Sequence, residues 1–520
     1  MTLPLPDTSA RHVLITFALI SPWLNPFAPG PSPAVLPWLI TLAATATLLL
    51  LTTVYSSLEL RTHPKTFAGR WAGPAAWAWL LAGVASSLIG LLQYFGIAEA
   101  FDPWINQPRA GEAFANLRQR NQFATLTNMA LAALVWLAAT GRLRAPAKGG
   151  LAQTSRLWLA WGAGSVLALG NAASSSRTGL MQLALLCLIF GLWGAWRQPL
   201  VRNVLLTAVA VYALATVLLP VAAGFDLSTY GMMARLRSGD EPCASRLSLW
   251  SNVLHLISQK PWLGWGWGDL AYAHYTASYS GQRFCDILDN AHNLPLQLAV
   301  ELGLPAALLL CGAFVWWALR QKPWRESNPD RQLAWAVLAV ILLHSMLEYP
   351  LWYGPFQVAA LLCAGLLWRF KNQAHQPENA SNNPLAQTFR PLLAIILIAF
   401  CGFAIWDYQR VSQIYLAPDA RDAAYRSDTL GKIRGSWLFH RQVSFAELVL
   451  TPLAPGNAQQ TYDNASRLLH YSPEPRVIEK VIESATILGR DDEALAHLAR
   501  YRAAFPADHA RWASANTKAP

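Results

Sequence analysis

The chain has 520 residues, of which 54% are hydrophobic and only 13% are charged. Soluble domains average about 25% charged residues, so the composition excludes an ordinary soluble protein and indicates lipid as the solvent for much of the chain. The net charge of +11 is not accompanied by a basic face or a nucleic-acid-binding motif. Basic cytoplasmic loops of a membrane protein explain it better, and no nucleic-acid partner is expected.

Apolar runs long enough to cross a bilayer recur along residues 1–406. A crossing helix needs about 17–25 residues at 1.5 Å per residue. About eleven runs qualify, and because several are short the range is about 11–13. They cover residues 12–27, 36–55, 75–95, 123–140, 157–171, 179–196, 204–224, 294–319, 333–347, 351–368 and 392–406. The first run has no clear cleavage site after it and is interpreted as a retained span. The prediction is an all-α polytopic membrane protein.

The charges of the connecting loops predict the orientation. If the N-terminus is cytoplasmic, the even-numbered loops are cytoplasmic, as their basic residues require. These residues are Arg61, Lys65, Arg70, Arg142, Arg144, Lys148, Arg156, Arg197, Arg202, Arg320, Lys322, Arg325, Arg331, Arg369, Lys371 and Arg390. The opposite loops near residues 29–34 and 349–350 carry no Lys or Arg, whereas other opposite loops contain the exceptions Arg109, Arg118, Arg120 and Arg177. An odd number of spans then puts the tail, residues 407–520, outside the cytoplasm.

The longest loop, residues 225–292, is also extracytoplasmic in this orientation. Residues 246–258 are predicted to form an amphipathic helix, suited to a membrane surface or to the cover of a cavity. Its apolar face contains Leu247, Trp250, Val253, Leu254 and Ile257. The alternating Gly and Trp of residues 261–268 predict a tight turn walled by aromatic rings. Without a strand and helix around it, GxGxG is not a nucleotide site.

Two of the six cysteines lie outside the apolar runs. They are Cys243 and Cys285, both in the long loop, on a side of the membrane that is oxidising. We predict a disulfide between them, which would close about forty residues and stabilise the fold by about 4 kcal/mol. Two free thiols remain the alternative, because the sequence does not give the distance between their Cα atoms. No CxxC pair exists, so zinc and redox motifs are not expected.

The tail has the composition of a soluble helical domain. Helices are predicted at residues 474–488 and 493–505, with a turn at residues 489–492 and a stop at Pro506. One apolar face of the second helix contains Ala494, Leu495, Leu498 and Tyr501. The pair is similar to a tetratricopeptide hairpin, although one hairpin is not a repeat array. A small helical cap on the membrane domain is the alternative.

Four polar clusters stand at the ends of apolar spans, all on the extracytoplasmic side. They occupy residues 119–122, 174–178, 289–293 (with Gln297 and Glu301 beyond) and 344–349. Charge near lipid is costly and is usually retained for function. Arginine matches phosphate oxygens and histidine can accept a hydroxyl proton. The clusters therefore suit an anionic substrate and a proton transfer, and they lack the carboxylates of a two-metal site.

Each candidate residue also has a structural interpretation. Arg177 would snorkel to the interface, Arg246 would be a solvated helix residue, and His292 would hydrogen-bond a helix N-terminus. Glu301 would fix a neighbouring helix. His344 and Glu348, four residues apart on one helix face, would form a structural pair.

Several of these segments together resemble the O-antigen ligase and polymerase superfamily. The run HNLPLQLAVELG, residues 292–303, matches its HNxxLxxxxExG signature, and residues 261–268, residues 176–179 and Arg246 four residues before Trp250 match in order. QRNQFA at residues 119–124 and HSMLEYPLWY at residues 344–353 resemble the pilin-glycosylation branch, the bacterial O-oligosaccharyltransferases.

The resemblance implies an enzyme of the bacterial inner membrane with a periplasmic active site and a periplasmic tail. Its donor would be an undecaprenyl-pyrophosphate-linked oligosaccharide, and its acceptor a Ser or Thr of a pilin-like protein. In ligases the acceptor is a lipid A–core sugar, and a polymerase is a further alternative. A lipid-linked sugar transporter is the rival of another class, disfavoured because the polar groups lie mostly at one end of the spans.

The resemblance also assigns residues. The catalytic base would be His292, and the pyrophosphate would be bound by Arg177 and Arg246. The glutamine of the branch corresponds to Gln119 or Gln122, and its tyrosine to Tyr349 or Tyr353. The other site candidates are Arg120, Glu301, His344 and Glu348. No metal and no cofactor are expected.

Overall fold

A computed structural model describes residues 8–28, 31–59, 67–143, 150–237, 242–372 and 384–516. The described residues form α-helices and short 3-10 helices and contain no strand, as the all-α prediction requires. Of the basic residues that predicted the orientation, Arg61, Lys65, Arg144 and Lys148 lie outside the described part of the chain.

The helices follow the chain in three groups. The first group contains the helices before the long loop and, as its last member, the first helix of that loop. These are α1 (Thr8–Leu24), α2 (Val35–Glu59), α3 (Phe67–Tyr94), α4 (Arg120–Ala139), α5 (Gly150–Ala173), α6 (Arg177–Leu192), α7 (Pro199–Ala222) and α8 (Gly231–Arg237). The middle group is α9 (Arg246–Gln259), α10 (Leu270–Thr276), α11 (Leu294–Leu302), α12 (Leu304–Gln321), α13 (Pro329–Ser345), α14 (Gly354–Asn372) and α15 (Pro384–Ser412). The tail contains α16 (Thr429–Ile433), α17 (His440–Leu450), α18 (Ala458–Leu468), α19 (Pro475–Ile487), α20 (Asp491–Ala504) and α21 (Pro506–Asn516).

The chain divides into two compact units. The bundle unit consists of residues 1–28, 33–238 and 318–403, and the loop–tail unit consists of residues 29–32, 239–317 and 404–520. Most of the long loop therefore belongs to the same unit as the tail. The predicted functional division at residue 406 stays a prediction.

The chain is a polytopic membrane protein. Five helical segments are long and apolar enough to cross a membrane: Trp71–Tyr94, Arg120–Ala139, Pro199–Ala222, Leu304–Arg325 and Phe389–Tyr415. Shorter apolar helices cover His12–Leu24, Val35–Leu51, Arg177–Leu192 and Gly354–Trp368. All of these coincide with predicted spans or with parts of them, and the count of about eleven stays a prediction.

Helix α4 forms the core of the bundle unit. Almost all of its residues are buried, and it packs against α3, α5, α6, α7 and α13. Small residues allow this close packing, as is usual between helices in membranes. A Cβ on Gly83 of α3 would collide with Ala130, and a Cβ on Gly179 of α6 would collide with Ala124 and Asn171. Polar side chains carried by α4 are consequently shielded from lipid.

The predicted span at residues 294–319 is wrong as a single helix. Helix α11 ends at Leu302 and α12 begins at Leu304, because Gly303 between them has φ +86° and turns the chain. Only glycine fits there, since a Cβ would collide with the carbonyl oxygen of Trp262. Of the predicted run, the apolar segment that can cross the membrane begins at Leu304.

The long loop and the tail pack around two cores of the loop–tail unit. In one core, Leu249, Val253, Leu256 and Ile257 of α9 pack with α10 and α11. The predicted bounds of α9 are correct to one residue. Its predicted apolar face is partly wrong: Val253 and Ile257 are buried and Trp250 packs on this core, but Leu247 is 78% and Leu254 56% exposed. The helix has apolar residues around much of its circumference, so periodicity alone did not select the side that packs.

The second core joins the loop to the tail. Tyr275 of α10 packs among the buried residues of α17–α20, and its hydroxyl lies 2.9 Å from Nδ1 of His497. Each helix from α17 to α21 packs on the next, so the tail extends the single predicted hairpin into a short array. The predicted face of α20 is partly wrong, because Ala494 and Tyr501 are buried but Leu495 is 62% exposed.

We expect acid to destabilise the loop–tail unit through His274. Burial, and then the nearby Arg283 cation, lower the pKa of His274 to about 3. Its Nδ1 and Nε2 lie near the Tyr279 hydroxyl and the Phe284 carbonyl, contacts that suit the neutral ring. Since the unfolded chain keeps a pKa near 6.5, stability is present above that pH and is lost as the pH falls toward 3.

Between pH 7 and pH 5 this loss is about 2 kcal/mol. Thermal unfolding of the detergent-solubilised chain at both pH values measures it. His274→Gln keeps one donor and one acceptor but does not titrate, so its unfolding temperature should fall less on acidification. An equal fall in the variant would contradict this role of His274.

Candidate functional site

His292 stands on a strained and firmly held backbone. Its φ is +50°, a left-handed conformation that histidine adopts rarely and that is typical of functional positions. Asn290 Oδ1 accepts the His292 amide at 2.9 Å, and Gln297 Oε1 accepts the Ala291 amide at 2.6 Å. The next residue, Asn293, caps α11 by accepting from the Leu296 amide at 3.1 Å. Side chains on both sides therefore hold the backbone from which the His292 ring projects.

Helix α9 lies against this segment. The indole of Trp250 donates to the carbonyl oxygen of Ala291 at 3.1 Å. Arg246 is the first residue of α9 and lies one turn before Trp250 on the same face. The cysteines just before α9 and in the following loop are joined as the disulfide Cys243–Cys285, with Cα atoms 5.3 Å apart. Arg246 thus begins a helix that is held in two places. The disulfide joins the residues before α9 to Cys285, and the Trp250 indole joins α9 to Ala291.

Glu301 fastens the Gly/Trp turn to α11. Its carboxylate, on a residue that is 3% exposed, accepts the Gly268 amide at 2.8 Å. The Trp265 and Gly266 amides donate to the carbonyls of Val300 and Glu301 at 2.8 and 3.0 Å. Burial raises the pKa of the Glu301 carboxyl. The structure therefore places Glu301 in a bracing position, and the segment that it holds is the Gly/Trp turn and not a neighbouring helix.

Three of the four polar clusters meet inside the bundle unit. Asn121 of α4 accepts from the Ser176 hydroxyl at 2.6 Å and donates to Glu348 at 3.2 Å. One turn further along α4, the Thr125 hydroxyl lies 2.9 Å from Nδ1 of His344 and accepts from Gln182 at 2.8 Å. This arrangement, from here on the α4 network, connects the sequence clusters around residues 121, 176 and 344–348.

The α4 network ends at the start of α6. Ser176 caps that helix by accepting from the Gly179 amide at 3.0 Å, and Arg177 is its first residue. The carbonyl of the preceding Ser175, whose φ is +50°, accepts from Arg235 of α8 at 3.3 Å. Arg177 therefore sits on a turn that is held from two sides, and it begins a helix whose N-terminus favours anions.

The remaining candidates of the bundle unit have local roles. The Gln119 side chain caps α4 by accepting from the Gln122 amide at 2.7 Å, and Gln122 itself is buried. Arg120 forms a half-exposed ion pair with Glu112 at 3.3 Å. The rings of Tyr349 and Tyr353 stack with centroids 5.9 Å apart. These contacts do not decide whether the glutamine of the branch corresponds to Gln119 or Gln122, or its tyrosine to Tyr349 or Tyr353.

Sequence reasoning did not single out several residues of these clusters. In the sequence, Asn121 is one residue of the polar cluster at residues 119–122. Thr125 and Gln182 lie within predicted spans, and Arg235 lies in the long loop. A signal was present, because Thr125 and Gln182 are polar residues within spans. Among the described residues, no group of three His, Cys, Asp or Glu is arranged to hold a metal.

Three family models match consecutive parts of the chain. Protein glycosylation ligase matches residues 113–138, O-Antigen ligase matches residues 162–311, and virulence factor membrane-bound polymerase, C-terminal, matches residues 332–519. The α4 network draws on all three matched segments, and the His292 segment lies in the second. In these segments the chain is similar to O-antigen ligases and to protein glycosylation ligases.

Two curated relatives come from Acinetobacter baylyi. The chain is 27% identical over 350 residues to a general O-oligosaccharyltransferase, covering 64% of this chain and 56% of that protein. It is 24% identical over 291 residues to a ComP-specific O-oligosaccharyltransferase, covering 55% and 50%. The chain thus spans about half the length of the curated relatives it matches.

We expect Glu301→Gln to keep the Gly/Trp turn in place and Glu301→Leu to release it. Glutamine retains an acceptor oxygen for the Gly268 amide, whereas leucine leaves that donor without this acceptor. Limited proteolysis of the full chain, read by mass spectrometry, should show faster cleavage at residues 261–269 in Glu301→Leu alone. Equal protection of both variants would mean that the backbone bonds of the turn suffice without the side chain.

Proposed function

We propose that the chain transfers a glycan from a lipid-linked pyrophosphate donor to Ser or Thr hydroxyls of an acceptor protein. The observation that carries the proposal is the protein glycosylation ligase match at residues 113–138, in the same chain as His292 of the ligase signature, whose backbone amide donates to Asn290. Both relatives from Acinetobacter baylyi are O-oligosaccharyltransferases. An undecaprenyl carrier and a pilin-like acceptor are the finer parts of this proposal, and they rest on the family resemblance.

In this proposal His292 is the general base. It removes the proton of the acceptor hydroxyl as the hydroxyl oxygen bonds to the anomeric carbon of the donor sugar. The bond from that carbon to the pyrophosphate oxygen breaks, and the electron pair leaves with the lipid pyrophosphate. A single displacement of this kind inverts the anomeric centre. A histidine whose backbone is held by its neighbours loses less conformational freedom when its ring takes up the position of the base.

Two arginines bind the departing pyrophosphate in the proposal. Arg246 is anchored beside the His292 segment through Trp250, and Arg177 is assigned to the donor by the resemblance. Negative charge on the leaving oxygens grows in the transition state, so a guanidinium accelerates the reaction by binding it more tightly there. No step needs a metal or a cofactor.

We further propose that the His292 segment and the tail lie on the periplasmic side of a bacterial inner membrane. The uneven distribution of Lys and Arg among the loops supports this orientation. The disulfide Cys243–Cys285 supports it independently, because structural disulfides persist in oxidising compartments.

The second candidate function is transfer of the donor glycan to another sugar acceptor. The acceptor would be lipid A–core for a ligase and a second glycan for a polymerase. This function is favoured by the match of residues 332–519 to a membrane-bound polymerase family and of residues 162–311 to O-antigen ligases. These activities share the donor chemistry and differ in the acceptor. Incubating purified chain and lipid-linked glycan with a pilin-like protein, lipid A–core or a second glycan separates them.

We predict that His292→Asn abolishes transfer. Asparagine tolerates positive φ, so the backbone is kept while the base is removed. Glycosylated acceptor peptides are measured by mass spectrometry after reaction with purified enzyme and lipid-linked glycan. Arg177→Lys and Arg246→Lys should each lower the rate by about tenfold or more, because lysine lacks the bidentate fork.

Arg502→Lys, a change at an exposed arginine of α20, is the matched control and should leave transfer unchanged. Transfer by His292→Asn at the wild-type rate would remove the proposed mechanism. Normal rates in both Lys variants would mean that Arg177 and Arg246 act only as positive charges or as membrane-interface anchors, without bidentate binding of the pyrophosphate.

The orientation is tested by reporter fusions. Fusions after Gly281 and Arg421 should be active only in a periplasmic reporter, and a fusion after Lys322 only in a cytoplasmic one. The reason is that Gly281 and Arg421 lie in the loop and the tail, whereas Lys322 follows the apolar helix α12. A cytoplasmic signal after Gly281 would place His292 on the wrong side of the membrane.

A further inference from the structure

A polar cavity of about 570 Å³ lies within the loop–tail unit. One side is the end of the Gly/Trp turn, residues 267–269, and the other side is formed by α17 and by α18 with the residues after it. The lining residues are Trp267, Gly268, Asp269, His440, Arg441, Ser444, Asn464, Arg467, Leu468, His470 and Tyr471. Its volume is within the range of sites for small molecules and short oligomers.

The cavity carries uncompensated positive charge. Within the described part of the chain, neither Arg441 nor Arg467 has a carboxylate at ion-pair distance, and both are exposed. The carboxylate of Asp269, the one acidic group of the lining, is 3.0 Å from Nδ1 of His470. Two guanidinium groups therefore remain to attract an anion, and their planar forks match carboxylate or phosphate oxygens.

The rest of the lining suits a sugar better than a peptide. Trp267 and Tyr471 offer aromatic faces with polar edges, and Asn464 and Ser444 offer hydrogen-bonding groups for hydroxyls. Leu468 is the one aliphatic side chain among these described lining residues. Peptide sites that use an apolar groove or an open strand edge do not fit this lining, and an acidic peptide would have only the two arginines in common with an acidic sugar.

The residues that line the cavity are held in place by neighbouring side chains. The ring of His470 stacks on Tyr272 with centroids 3.7 Å apart, while Asp269 holds its Nδ1. The floor residue Gly268 donates to Glu301 of α11, the helix that begins immediately after His292 and Asn293. A ligand in the cavity would contact a turn that is fastened to the same short helix as the proposed base.

We propose that this cavity binds the sugar chain of the donor and prefers a chain that carries a carboxylate or a phosphate. This inference rests on the proposed function, because it names the part of the donor that the loop–tail unit takes up. Arg441 and Arg467 supply the charge preference, and the aromatic and amide groups contact the sugar rings.

The test measures binding of free sugars to the purified full-length chain in detergent, so that it does not depend on transfer. The probes are a trisaccharide ending in glucuronic acid, the same trisaccharide ending in glucose, inorganic pyrophosphate and a tri-aspartate peptide. We expect the acidic trisaccharide to bind about tenfold or more tightly than the neutral one. The double variant Arg441→Gln/Arg467→Gln should lose that preference without a change in unfolding temperature.

Arg502→Gln, an exposed arginine of α20, is the matched control and should bind like the wild type. His292→Asn should also bind like the wild type while failing to transfer. Equal binding of both trisaccharides, an unchanged preference in the double variant, or arginine-dependent binding of pyrophosphate or tri-aspartate without the sugar would overturn the cavity proposal. Normal sugar binding with no transfer to any acceptor would overturn the proposed function, and only the preference of the cavity for an acidic sugar would stand.

Discussion

The hydrogen bond from the Gly268 amide to the buried Glu301 carboxylate is the interaction on which the loop–tail unit depends. It joins two signature segments that are more than thirty residues apart in sequence. Glycine is required at this junction, because a Cβ on Gly264 or Gly303 would collide with the backbone of the other segment. With the turn fixed on α11, the cap at Asn293 and the backbone of His292 are fixed as well. The Glu301 side chain and the close backbone packing at Gly264 and Gly303 therefore act together to hold these two segments against each other.

The bundle unit is organised around a different constraint. Polar groups within a lipid-surrounded bundle must satisfy one another, since no bulk water is available there. Asn121, Thr125 and Gln182 do so by bonding to side chains of other helices. This requirement fixes the relative rotation of α4, α6 and α13, and with it the position of the turn that carries Arg177. Hydrogen bonds in this part of the protein therefore specify helix orientation.

Much of this arrangement was visible in the sequence, and the failures have physical reasons. The helical class, α9 and most spans followed from periodicity and length, because burial in lipid is reflected in composition. The break at Gly303 was missed, because apolar residues continue on both sides of it and hydropathy does not record backbone dihedrals. The role of Asn121 was missed, since its partners come from other helices. The cavity beside Arg441 and Arg467 was not foreseeable, because it forms from segments about two hundred residues apart.

The core shared by Tyr275 and α17–α20 has a consequence for modular engineering. The tail looks detachable in sequence, yet removing it would strip apolar cover from α10 and expose a buried tyrosine to water. A chimera that exchanges only residues 407–520 with a relative would combine two halves of different hydrophobic cores. A chimera designed to exchange acceptor or glycan preference should therefore take residues 239–317 and the tail from the same relative. These two segments form one unit, although membrane helices separate them in the sequence.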